Sequence, residues 1–448
     1  MHTTANHKTD IDPSSVLTEL KKHILLDGFE LVLDPARSRG SRFYDAHDDR
    51  TLLDLYGFYA SVPIGFNHPH FERPEVRQDL LDAALLKVAN SDVYTAQYAR
   101  FVDTFARVVG LPELPRYFFI EGGALAVENT LKAAMDWKVR KNLAAGRGEL
   151  GTEVLHFRNA FHGRTGYTLS LTNTDPNKVR YFARFDWPRV SNPRIDFALP
   201  EPKRTEQLIA HEQAAEAEIM AALAARPHRI CAIIIEPVQC EGGDRHFRRE
   251  WFQTLRQICD EHDMLLIFDE VQTGMGVSGK TWCCQHFDVL PDLLAFGKKA
   301  QVCGVMAGPR LDEVPDNVFR KSSRINSTWG GNLTDMVRST HYLNILEQEN
   351  LVDNARVMGE RFLERLRAFA AEPQNPITAV RGRGLLLAFT LPDTATRDRF
   401  WKGCYEVGLL TIRCGECSIR LRPYLDVQPD VIDEAIDLMR KGLQRLTP

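Results

Sequence analysis

The chain has 448 residues, 44% of them hydrophobic and 26% charged, which is long enough for more than one hydrophobic core and ordinary for a globular protein. A net charge of −4 gives no electrostatic basis for binding nucleic acid or an anionic membrane, and no apolar run is long enough to span a bilayer. That charge balance leaves small molecules as the expected partners, and nine cysteines, an odd number that includes the adjacent Cys283 and Cys284, do not resemble a secreted disulfide framework, so a reducing cytoplasm is expected.

The opening stretch Met1 to Lys8 is polar and lacks the apolar segment of a signal peptide. After Val16 to Leu33, the short alternating pieces Arg42 to Asp45 and Thr51 to Tyr56 predict a small antiparallel arm. The runs Tyr117 to Ile120, Val154 to Phe157, Cys231 to Ile235 and Met264 to Phe268 are apolar on both faces and alternate with helical patterns such as Val127, Leu131 and Met135. Strands of that kind predict an α/β architecture in which a parallel sheet is buried between helical layers. From about Leu333 the pattern turns helical, through Leu343, Leu346, Phe362 and Leu366; a β-like run at Gly384 to Phe389 and a final helix from Val431 to Leu446 then complete a smaller α+β part.

The residues able to do chemistry sit where predicted strands end. Glu121-Gly122-Gly123-Ala124 follows one strand and opens a helix, so its amides can approach a phosphate; a plain strand-to-helix turn is the alternative. In Phe161-His162-Gly163-Arg164, an aromatic ring able to stack on a flat cofactor is followed by an arginine able to hold a carboxylate. Glu236 and Glu241 follow the strand Cys231 to Ile235; a loop-closing hydrogen bond and direct substrate contact are both open for Glu236, and Glu241 is the better candidate for chemistry. Asp269 closes one apolar run and Lys298, 29 residues later, closes another after Gly297. That pair suits pyridoxal 5'-phosphate (PLP), which needs a lysine amine to carry it as a Schiff base and a carboxylate to keep its ring nitrogen protonated. Lys299 is the adjacent alternative. No G-x-G-x-x-G opens a helix after a strand, which argues against a dinucleotide fold. Cys414 and Cys417 are half of a zinc pattern with no second pair, so no metal is expected.

Taken in order, these segments resemble those of the class III, or ω-, aminotransferases of PLP fold type I, from about Arg42 to Leu425. The resemblance implies a large domain with a mostly parallel seven-stranded sheet between helices, plus a smaller α+β domain: residues 1–65 would be an arm packing with the small domain, 66–332 the large PLP-binding domain and 333–448 the small one. It implies that Lys298 carries the cofactor and acts as catalytic base, that Asp269 faces the pyridinium, that Gln272 contacts the ring hydroxyl, that Phe161 stacks on the ring, and that Gly123 and Ala124 hold the phosphate. Where the family usually has a serine-containing phosphate turn this chain has Gly122-Gly123-Ala124, so one hydroxyl donor is missing and backbone amides must do more. Thr328, in Asn326-Ser327-Thr328-Trp329-Gly330-Gly331, would reach the phosphate of the neighbouring subunit of a homodimer. Arg164, Glu241, Asn326 and Arg420 would face the substrates, with Glu241 covering Arg420 until a keto acid displaces it. Within the family, Glu121 to Asn129, Phe296 to Val305 and the pair Asn326 and Thr328 are most similar to the lysine 6-aminotransferases, which implies transfer of the ε-amino group of L-lysine to 2-oxoglutarate. The 4-aminobutyrate and ornithine aminotransferases and PLP aminomutases are the alternatives.

Overall fold

Residues 11–445 are described in a computed structural model. Seven strands form its main sheet: β1 (Arg116–Ile120), β2 (Glu153–Phe157), β3 (Arg189–Val190), β4 (Ile230–Ile235), β5 (Leu265–Asp269), β6 (Leu293–Phe296) and β7 (Cys303–Ala307), in the order β1-β7-β6-β5-β4-β2-β3. Only β7 runs against its neighbours; the other pairings are parallel. Strands β2, β4, β5 and β6 are buried along their whole length, which is why they carry apolar residues on both faces. The two-residue period of a strand divides them between two cores. Leu265 and Ile267 pack with Val127, Leu131 and Trp137 of the helix Gly123–Ala144. Leu266 and Phe268 join the core that holds Phe101 and Phe105 of Ala96–Val108 and Trp251 and Leu255 of Arg249–Glu261.

The C-terminal part opens with the helices Leu333–Gln348 and Leu351–Ala370. A four-stranded antiparallel sheet follows, in the spatial order Thr378–Arg383, Leu386–Thr390, Ser418–Leu421, Ile412–Cys414, with the helices Thr394–Glu406 and Pro429–Gln444. The hairpin Arg42–Asp45 with Arg50–Asp54 is extended by Leu409–Leu410, paired parallel through Leu53 and Leu409, so the N-terminal arm shares a sheet with a segment near the C-terminus. The helix Leu333–Gln348 lies against Ala96–Val108 and Pro74–Ala84, reaching back to the first part of the chain.

Because β2, β4, β5 and β6 are mutually parallel, and β1 is parallel to β6 by way of the reversed β7, the C-terminal ends of all five strands lie along one edge. Asp269 closes one of these strands, and Gly122, Phe161, Glu236 and Lys298 follow the ends of the others. A crevice outside the carboxyl ends of its strands is where an open α/β sheet binds ligands.

Candidate active site

At the end of β1 the chain enters the helix Gly123–Ala144 through Gly122, whose φ of +98° favours glycine, and no side chain caps the helix. The first amides of a 22-residue helix are therefore left for an anion. A Cβ on Gly123 would stand 2.9 Å from Val271 Cγ1, so glycine here lets the turn and the Val271 side chain approach closely. The Ala124 methyl occupies the space a Cβ on Gly163 would need, at 2.4 Å, which locks the turn to the loop bearing Phe161.

Asp269 ends β5 and is only 5% exposed. Its Oδ2 lies 2.7 Å from Nδ1 of the buried His162, and its Oδ1 accepts the Val271 N–H at 3.1 Å. An ionised carboxylate only accepts, so Nδ1 carries the proton and His162 fixes the direction in which Asp269 presents its charge. His162 has no role in the sequence reading, although it stands between two residues that do; Val271 is the second omission, because only its neighbourhood and not its side chain gave a signal. Glu236 Oε1 accepts the Phe161 N–H at 2.9 Å, which makes Glu236 the loop-closing residue. Burial, and then the charge of Asp269, push its carboxyl well above the usual range.

Lys298 follows Gly297 with a φ of +50°, and its Nζ donates to the Tyr59 carbonyl at 3.1 Å. Burial first, and then the positive charge of Arg420, push its amine down to about 8. Lys299 turns the other way: it is 3% exposed, donates to the Ala60 carbonyl at 2.8 Å, and lies with Met275, Tyr342 and Leu346 about a small cavity. Its amine is pushed down to about 7 by burial and then by Arg422. The carbonyls of Tyr59, Ala60 and Ser61 take Lys298, Lys299 and Gln301 in succession.

The two arginines of Arg420-Leu421-Arg422 have separate tasks. Arg422 is fully buried in an ion pair with Asp244. Arg420, 2% exposed, donates from Nη1 to Gln272 Oε1 at 3.1 Å, and its buried Nε has no partner. The expected pairing of Glu241 with Arg420 is not made. Glu241 Oε1 pairs instead with Lys178 Nζ, because the turn Pro176–Lys178 brings that cation to it, and Gln272 occupies Arg420. Phe161 lies between cations, with Arg164 Cζ at 5.9 Å and Lys178 Nζ at 5.4 Å from its ring centre. Arg164 is exposed. Asn326 and Thr328 are exposed too; Thr328 O accepts from Ser91 Oγ at 3.0 Å, and the Asn326 side chain accepts only the Ser327 N–H, so neither is bonded to the residues around Lys298 within one chain.

An uncapped helix end, a buried carboxylate held by His162, and an amine poised close to neutral pH are the contacts a phosphorylated pyridine aldehyde requires, so the residues present fit PLP. The sequence model of class III aminotransferases matches residues 27–443. The chain is 50% identical over 437 residues to an L-lysine-epsilon aminotransferase of Mycobacterium tuberculosis, covering 97% of this chain and 96% of the other. It is 46% identical over 426 residues to the L-lysine-epsilon aminotransferase of Streptomyces clavuligerus, covering 95% and 93%. A solved structure of the lysine aminotransferase from M. tuberculosis, in its internal aldimine form, superposes with a TM-score of 0.95 at 50% identity, covering 98% of this chain and 100% of that one. Sequence, fold and the chemistry of the strand ends agree over nearly the full length, and the chain belongs to the class III aminotransferases, whose cofactor is PLP.

Proposed function

We propose that this enzyme moves the ε-amino group of L-lysine to 2-oxoglutarate, giving 2-aminoadipate 6-semialdehyde and L-glutamate by a ping-pong mechanism. The observation that carries the reading is Arg420: a buried guanidinium with one neutral partner and an unpartnered Nε awaits a carboxylate beside Lys298. The similarity to L-lysine-epsilon aminotransferases supports lysine as the amine donor.

PLP, when bound, supplies a protonated pyridine ring that takes up the electron pair left when the C–H bond beside the reacting nitrogen breaks. The chain's own residues do the rest. Gly123 and Ala124 would offer helix N-terminal amides to the phosphate, Phe161 and Val271 would enclose the ring, and Asp269, oriented by His162, would face the ring nitrogen. Gln272, placed by Arg420, would be the neighbour of the ring hydroxyl. Lys298 Nζ, freed from the Tyr59 carbonyl, would take the proton from the ε-carbon of lysine and deliver it to the cofactor carbon. Arg164 would anchor the α-carboxylate of lysine, and Arg420 a carboxylate of 2-oxoglutarate.

The proposal includes a homodimer with Asn326 and Thr328 completing the neighbour's site. Support comes from Leu85 and Tyr94, each 76% exposed, in the stretch where Lys87 Nζ lies 3.7 Å from the centre of the Trp329 ring and Ser91 donates to the Thr328 carbonyl. It includes the division into an arm (1–65), a large domain (66–332) and a small domain (333–448), supported by the arm's pairing with Leu409–Leu410. It also includes a cytoplasmic location. All nine cysteines are free and seven are buried, and among the described residues no helix is long and apolar enough to cross a membrane.

The test follows the nitrogen. A lysine anchored by its α-carboxylate presents its ε-carbon to Lys298 and keeps its α-carbon out of reach. Lysine carrying heavy nitrogen at the 6-position should pass the label to glutamate, and lysine labelled at the 2-position should not. Transfer from the 2-position would mean that the substrate binds reversed, and faster turnover of 4-aminobutyrate than of lysine would reassign the donor.

A further inference from the structure

Lys178 makes contacts that the proposed reaction has not used. Besides its ion pair with Glu241, its Nζ lies 3.4 Å from Thr174 Oγ1 and 5.4 Å from the centre of the Phe161 ring, so it stands at the wall of the site. Glu241 is tied on two sides. Its Oε1 is held by Lys178, while its backbone carbonyl accepts the Gly415 N–H at 3.0 Å. Gly415 directly follows Ile412–Cys414, the strand that pairs with Arg420 through Ile412. The backbone of Glu241 is thus joined through Gly415 to the strand beside Arg420, while its carboxylate is held by Lys178. The second oxygen, Glu241 Oε2, is buried without a partner, as is Arg420 Nε. A carboxylate with an idle oxygen and a guanidinium with an idle nitrogen each keep capacity for a further partner.

Resting on the lysine and 2-oxoglutarate reading, we infer that Lys178 is a positioning residue that sets the specificity of Arg420 by holding Glu241 away from it. With Glu241 on Lys178, Arg420 is open to the carboxylate of a keto acid. With Glu241 on Arg420, the guanidinium is neutralised and the site suits a donor that has no carboxylate near its reacting carbon. The charge of Lys178 sets the balance between the two arrangements, and the apparent affinity for 2-oxoglutarate scales with the fraction of molecules in the open one.

The two half-reactions of the holoenzyme, followed separately by absorbance, test this. Lys178→Met keeps the aliphatic stem beside Phe161 and removes the charge. If the open fraction falls to a tenth, the apparent Kd for 2-oxoglutarate rises about tenfold, and the lysine half-reaction does not slow. Lys178→Arg restores 2-oxoglutarate binding, and in a Glu241→Ala background Lys178→Met has no further effect, since there is no carboxylate left to hold. Equal losses in both half-reactions, no recovery with arginine, or a full additional loss in the Glu241→Ala background would each overturn the assignment. Failure of the unmodified enzyme to exchange nitrogen with lysine or with 2-oxoglutarate is seen before any variant is compared, and would remove the underlying reading together with this one.

Discussion

The reactivity of Lys298 is set by burial and by the cation of Arg420 more than by the lysine itself. Both effects disfavour the ammonium form, so the amine, ordinarily near 10.5, is pushed down to about 8. Below that pH the folded site holds the amine protonated and unreactive toward an aldehyde; above it the amine is neutral and nucleophilic. Reconstitution of the apoprotein with PLP should accordingly quicken as pH rises through about 8 and level off beyond it. Arg420→Gln removes the second cause and leaves the first, so the inflection in the reconstitution rate should move up, short of 10.5. An inflection that stayed in place or moved down would show that Arg420 does not act on this amine. Lys299 shares the depressed amine, pushed down to about 7, but it is enclosed with Met275, Tyr342 and Leu346, so proximity separates the two lysines where acidity does not.

At the scale of the elements, the site depends on how closely two turns approach. Gly123→Ala would set a methyl 2.9 Å from Val271 Cγ1, and the wall of the ring pocket must move to admit it. We expect PLP affinity to fall by about tenfold, roughly 1.4 kcal/mol, with little change in the thermal midpoint of the apoprotein, because the added methyl suits helix propensity. Unchanged affinity, measured by titration of the apoprotein, would mean that Val271 does not border the cofactor. The same close approaches explain what the sequence shows and what it conceals. Strands β4 and β5 are continuous apolar runs and legible as such, and so are the helix through Val127 and Leu131 and the turns that follow the strands. Strand β7 is not, because Gly304 interrupts it: a Cβ there would meet the Phe118 carbonyl at 2.3 Å, so close packing against β1 demands a residue with poor strand propensity. The turn at Gly57–Ala60 is hidden for a similar reason. Phe58, Tyr59 and Ala60 all take positive φ, against their local preference, and it is tertiary packing that presents the carbonyls of Tyr59 and Ala60 to the two lysines. The roles of His162 and Lys178 depend on distances between residues about 107 and 63 positions apart, which no local pattern encodes.

For the whole molecule the decisive question is whether one chain is a complete enzyme. Arg164, Asn326 and Thr328 are expected site residues that a single chain leaves exposed, and the segment that bears the last two is bonded to Ser91, in a region where Leu85, Leu86, Val93 and Tyr94 are exposed. Apolar side chains gathered in that way are normally covered by another molecule. A two-fold arrangement would place the same patch of each copy against the other and carry each Thr328 toward its partner. Cofactor binding and association then become linked, since PLP that contacts both copies stabilises the pair over its parts. Thr328→Val, which keeps the shape and removes the hydroxyl, should weaken PLP binding and shift the assembly toward monomer at low concentration, by about tenfold in each if one hydrogen bond to a charged group is lost. Dilution of the unmodified enzyme should release PLP over the same concentration range in which the mass, followed by light scattering, falls to that of one chain. Adding excess PLP should restore the dimer. A monomer that keeps its cofactor and its turnover on dilution would show that each chain holds a complete site and that Thr328 serves only its own surface.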